Sequence, residues 1–138
     1  MRKTAYVVSV VFGLALIAGG AGTWVLVSST LANQRITVAE DAPCLPGDEV
    51  NGPVSAYCQA KVIDKHALEA TDGLTYAELE RDDPRRQVAQ NAAFLQSSLF
   101  TSVLAFGVAA MAMLVGILFI LIGLGIKDVA ERTGSRDG

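Results

Sequence analysis

The chain has 138 residues, 51% of them hydrophobic and only 18% charged, with a mean hydropathy of +0.41. That length suits one domain, and hydropathy this high is unusual for a water-soluble domain of such size. A formal net charge of -3 with no basic stripe gives no footing for nucleic-acid binding.

The charge is segregated. No charged residue lies between Lys3 and Arg35, and none between Arg86 and Lys127. The first uncharged block has its apolar heart over 6–31. A bilayer's hydrocarbon core takes about 20 apolar residues of helix. Tyr6 and Trp24 stand roughly 27 Å apart on a helix, which suits a pair of interfacial anchors. A cleaved signal peptide competes here, with Arg2 and Lys3 as its charged start and Thr30-Leu31-Ala32 as a weak cleavage site. The apolar run is longer than the roughly 7–15 residues of a signal core, so the block reads as a retained span. Cys44 follows Asp41-Ala42-Pro43, which is unlike a lipidation box.

Within this block Ala15 and Gly19, and Ala18 and Gly22, are small-xxx-small pairs, with Gly13 and Gly20 beside them. Ala112 and Gly116 form a third pair in the second block, with Gly107 nearby. Such pairs let helix backbones approach closely, and generic Gly/Ala enrichment of membrane helices is the bland alternative. The density of Gly19-Gly20-Ala21-Gly22 favours a packing face.

The segment 32–99 carries most of the charge, six basic and eleven acidic residues between Arg35 and Arg86. Ile36-Thr37-Val38 reads as a short extended piece, followed by a turn-rich stretch from Asp41 to Pro53. Cys44 and Cys58, the only cysteines, flank Pro-Gly and Asn-Gly turn signals. Outside the cytoplasm they are expected to pair, closing a loop of about 15 residues, in preference to standing as two free thiols. Two cysteines and one histidine lack an obvious fourth ligand at zinc-site spacing.

Pro53 suits the first position of a helix predicted over 53–71. Ala56, Ala60, Ile63, Ala67 and Ala70 share its apolar face, and Gly73 offers a left-handed stop. Thr75 and Glu78 form a capping-box pattern that predicts a short helix over 75–81. Asp83 and Pro84 then cap and start a helix predicted from 84 onward, continuous with the second span, 100–126. Nothing before Ile126 stops it, so it projects beyond the bilayer, with Val88, Ala92, Leu95 and Leu99 as a stripe for the 53–71 helix. The fold class is therefore an all-α membrane protein: a two-helix transmembrane hairpin with a small, mostly helical extracytoplasmic subdomain. Arg2, Lys3 and Lys127 flank the spans closely, which places termini 1–5 and 127–138 in the cytoplasm and 32–99 outside.

No catalytic, cofactor or metal residue is assigned. His66 has Asp64, Glu69 and the Asp82/Asp83 pair as conceivable partners for general-base or ligand chemistry. A lone histidine on a polar helix face needs no such role, and Asp82-Asp83 is explained by capping. Arg85 and Arg86 are candidates for contact with lipid headgroups or an acidic partner, against simple solvation. The spans hold no Asp, Glu, Lys, Arg or His, which argues against ion or proton movement by this chain alone. No phosphate loop, dinucleotide fingerprint or nucleophile elbow occurs.

ITVAEDAPCLPGDEVNGPVSAY, KHALEATDGLTYAELERDDPRRQ and NAAFLQSSLFTSVLAFGVAA, in that order over roughly 36–110, resemble a family of small two-span actinobacterial membrane proteins. Members often carry the label "aromatic ring-opening dioxygenase". A non-haem iron site of that kind uses two histidines and a carboxylate, and this chain has one histidine. The resemblance carries over no functional residue, and the cysteine pair is not associated with the whole family. The expectation is a non-enzymatic accessory or structural subunit of a larger plasma-membrane complex, such as a respiratory-chain assembly. The alternative is a free-standing envelope protein whose outer loop binds a ligand or protein.

Overall fold

The computed structural model describes residues 2–134, with side chains from Thr4 to Arg132. Three helices follow in order: α1 (Arg2–Asn33), α2 (Pro53–Ala70) and α3 (Arg86–Gly134). The all-α class holds: two long apolar helices are joined by a small helical segment containing a disulfide. Thr4–Asn33 and Arg86–Arg132 are long and apolar enough to cross a membrane, and only 11% and 17% of their most apolar windows are buried. That exposure sets them apart from the core helices of a water-soluble domain.

The chain divides into two compact units. The first joins α1 as far as Val25 to α3 from Gly107 onward. Gly13 meets Gly116, Gly20 meets Ala109, and Gly123 meets Tyr6, so the two helices are antiparallel. A Cβ added to Gly13 would stand 2.5 Å from the Gly116 carbonyl oxygen, and one on Gly116 would stand 2.6 Å from that of Gly13. The backbones therefore touch, an approach that only a missing side chain permits. Ser9 Oγ donates to Phe119 O at 2.6 Å, and the Phe12 and Phe119 rings meet edge to face at 5.0 Å.

The face that α1 turns to α3 is not the one carrying its small-xxx-small pairs, whose expected partner is either the second span or another protein. Ala15, Ala18, Gly19 and Gly22 are exposed, and open space surrounds both glycines. Of the small pairs, Gly116 lies in the contact and Ala112 beside it is half-buried. The seam follows residues seven apart: Tyr6, Gly13 and Gly20 on α1, and Ala109, Gly116 and Gly123 on α3. A spacing of seven keeps one seam against its partner over several turns, whereas a four-residue pair marks a single crossing.

The expected tail 127–138 is helical as far as Gly134, and residues 135–138 lie outside the described residues, as does residue 1 of the expected N-terminal segment 1–5. The helix continues because Lys127–Glu131 and Asp128–Arg132 are opposite charges four apart, at 3.8 and 3.0 Å.

The second unit spans Leu26–Phe106. Ile36-Thr37-Val38 is extended as expected and lies antiparallel to Asp48-Glu49-Val50. Val38 N–H donates to Asp48 O (2.8 Å), Val50 N–H to Ile36 O (2.9 Å) and Gly47 N–H to Val38 O (2.9 Å). Val38 and Val50 are both fully buried. α2 starts at Pro53, where Ser55 Oγ accepts the Gly52 and Asn51 N–H groups at 3.2 Å. It ends at Ala70, with Asp72 and Gly73 both left-handed (φ 55° and 82°) and Gly73 N–H returning to Leu68 O at 2.7 Å.

Ala56 and Ala60 are buried as expected and Ile63 and Ala67 half-buried, but Ala70 is exposed and Cys58 and Val62 join the core. Opposite α2 the stripe on α3 is Ala89, Ala92 and Leu99; the expected Val88 and Leu95 face outward, because small Ala89 is what admits a close neighbour. Residues 75–81 form turns and no helix. Glu78 Oε2 accepts both Thr75 N–H (2.8 Å) and Thr75 Oγ1–H (2.7 Å), so the cap exists. One capped turn does not cover the cost of helix nucleation, and Pro84 disfavours helical geometry at Asp83 before it. Asp83 leads into α3: its Oδ1 accepts Arg85 N–H at 2.8 Å, and the helix begins at Arg86, two residues after the expected 84.

Candidate interaction surface

Three ties bind segment 36–50 to α2. Cys44 and Cys58 form the disulfide, with Cα atoms 5.6 Å apart and Cys58 fully buried. Gln59 Oε1 accepts Ala39 N–H at 3.0 Å. Asp41 Oδ2 meets both Lys65 Nζ (2.9 Å) and His66 Nε2 (2.8 Å). His66 is thus partnered by Asp41, and not by Asp64, Glu69, Asp82 or Asp83. Sequence spacing gave no hint of this contact, 25 residues away.

The bonds from Lys65 and His66 hold the Asp41 carboxyl down at about 2. A carboxyl lowered in the folded state stabilises above its unfolded value near 3.8 and loses that contribution as pH falls toward 2. Acid titration from pH 4 to pH 2 is therefore expected to loosen the 36–50 segment, seen as faster backbone exchange at Val38 and Val50. Asp41→Asn is expected to flatten that response. An equal response in the variant would show that Asp41 does not hold the segment.

Arg85 and Arg86 are committed within the chain. Arg85 donates to Asp83 (Nη2–Oδ2 2.7 Å) and Asp72 (Nη1–Oδ2 2.8 Å), and the first of these bonds keeps the Asp83 carboxyl below its usual range. Arg86 stacks over the Tyr76 ring at 4.0 Å and donates to Leu79 O at 2.6 Å. Both arginines fasten segment 72–83 to the start of α3. Arg86→Ala is expected to loosen that segment by about 1–3 kcal/mol through the lost charge-assisted bond and ring contact. Hydrogen exchange at the Leu79 amide reads the change. Arg81→Ala, at an exposed side chain, is expected to leave it within about 0.5 kcal/mol.

Between α2 and α3 lies a cleft of about 230 Å³, lined by Ala67, Leu68, Leu74, Tyr76, Ala92 and Gln96, among others, with Asp64 as its carboxylate. Thr75 also lines it, and its hydroxyl donates to Glu78 Oε2 in the capped turn. Among the described residues no group of three or more His, Cys, Asp or Glu is placed to hold a metal ion. The other exposed surface is apolar: the outward faces of α1 and α3, and the exposed Ala15, Ala18, Gly19 and Gly22. Compared with known family models, curated proteins and solved structures, the chain matches none.

Proposed function

We propose that this chain is a non-enzymatic accessory subunit of a larger plasma-membrane complex, with both termini cytoplasmic and the 32–99 segment outside. A respiratory-chain assembly is the first complex to assay, following the actinobacterial resemblance. The observation that supports the proposal is the small-residue face of α1. Gly13 and Gly20 are consumed by α3, yet Ala15, Ala18, Gly19 and Gly22 remain on the outside with nothing against the glycines. A second protein's helix could approach there as closely as α3 does on the other side. The disulfide supports placement of the cap outside the cytoplasm.

Gly19→Leu separates this role from hairpin folding, because the new side chain enters open space. The variant is expected to fold and insert normally but to lose the partners that co-purify with the natural chain. Retention of every partner would sink the docking face. The cleft at Ala92 favours the second reading, a free-standing binding protein; there Ala92→Trp would abolish function and Gly19→Leu would not.

A further inference from the structure

We infer that the base of α2 is a membrane foot: Val54, Tyr57 and Lys61 sit in the headgroup boundary of the outer leaflet, beside Phe100. This rests on the spanning reading of α1 and α3. Val54 and Tyr57 are one turn apart on α2 and are 60% and 46% exposed, although both are apolar in their bulk. Tyr57 meets Phe100 edge to face at 6.1 Å, and Phe100 opens the apolar run of α3 that continues through Leu104. The exposed patch on α2 is thus continuous with the surface that faces lipid.

The start of α2 is held at that level. Ser28 Oγ, on α1 beyond Trp24, donates to Asn51 O at 2.7 Å, two residues before Pro53. From there α2 runs antiparallel to α3, since Tyr57 meets Phe100 while Ala67 and Leu68 share a cleft with Ala89 and Ala92. Residues later in α2 therefore lie farther out. Lys61 follows Tyr57 on the same face, about 6 Å along the axis, and is exposed. A valine, then a phenol, then an ammonium reproduces the outward gradient of a bilayer interface: acyl chain, carbonyl region, phosphate. The lysine's charge selects a lipid phosphate as its counterpart. A second apolar patch, Phe94 and Leu95 on α3, lies farther out and has no such gradient.

The test uses the full chain in vesicles of phosphatidylcholine and phosphatidylglycerol, with bromines placed either near the top or near the end of the acyl chains. Trp24 is the only tryptophan, so Trp24→Phe supplies a silent background. In that background Tyr57→Trp and, as an independent probe, Val54→Trp are expected to lose more emission to shallow bromines than to deep ones. Glu69→Trp, about 18 Å farther along α2, is expected to lose none. If neither position 54 nor 57 is quenched while Trp24 of the natural chain is, the foot is wrong and the spans stand. If Trp24 is also unquenched, the spanning reading fails and the foot fails with it.

Discussion

Gly116→Leu is expected to separate α1 from α3 in the first unit, with an overpacking cost of about 1–3 kcal/mol or more. The obstruction is backbone: the Gly13 carbonyl oxygen lies 2.6 Å from where a Cβ would stand, with Ile17 N at 3.2 Å behind it. A flexible side chain could swing away, but a helical carbonyl cannot. Moving the helices apart also loses the Ser9–Phe119 hydrogen bond and the Phe12–Phe119 ring contact. Thermal denaturation in mild detergent measures the loss. Gly22→Leu, at an exposed glycine with nothing within 4 Å, is expected to leave stability within about 0.5 kcal/mol. Equal effects for the two variants would contradict the seven-residue seam.

Removing the disulfide with Cys44→Ala and Cys58→Ala is expected to cost about 2–5 kcal/mol, confined to the second unit. The closed loop is short, with the cysteines 14 residues apart, and the chain-entropy model assigns such a loop about 3 kcal/mol. Cys58 is also fully buried among core residues, so alanine leaves a small void there in addition. The first structure to weaken is the pairing of 36–38 with 48–50, which keeps only the Ala39–Gln59 and Asp41 ties to α2 once the disulfide is gone. Exchange at the Val38 and Val50 amides reports it. Reductant should produce the same change in the natural chain and none in the double variant. A response to reductant in the double variant would place the effect elsewhere.

Much of this architecture is legible in the sequence, and the reasons differ by feature. The two apolar runs are visible because a helix able to cross a bilayer needs long uninterrupted hydrophobicity, and both runs have it. α2 is visible because Pro53 and Gly73 punctuate it, and the start of α3 because Asp83 and Pro84 do. What stays hidden depends on contacts far apart in the chain. Three overlapping small-residue faces exist on α1, and only the partner helix decides that Gly13 and Gly20 form the seam. Asp41 meets His66 where the 36–50 segment, tied by the disulfide and by Gln59, lies back on α2. Arg86 looked available for a partner because its acceptors, Leu79 O and the Tyr76 ring, are presented by a turn that reads as helix. The continuation of α3 past Ile126 was signalled by Lys127-Glu131 and Asp128-Arg132, charge pairs at helical spacing.

Sideways docking of the hairpin onto a larger assembly, as proposed, is open to native mass spectrometry of the natural chain extracted in mild detergent. The expected result is a complex in which this chain is present at fixed stoichiometry with at least one larger integral membrane protein. A lone monomer, or a homodimer with nothing else bound, would contradict it.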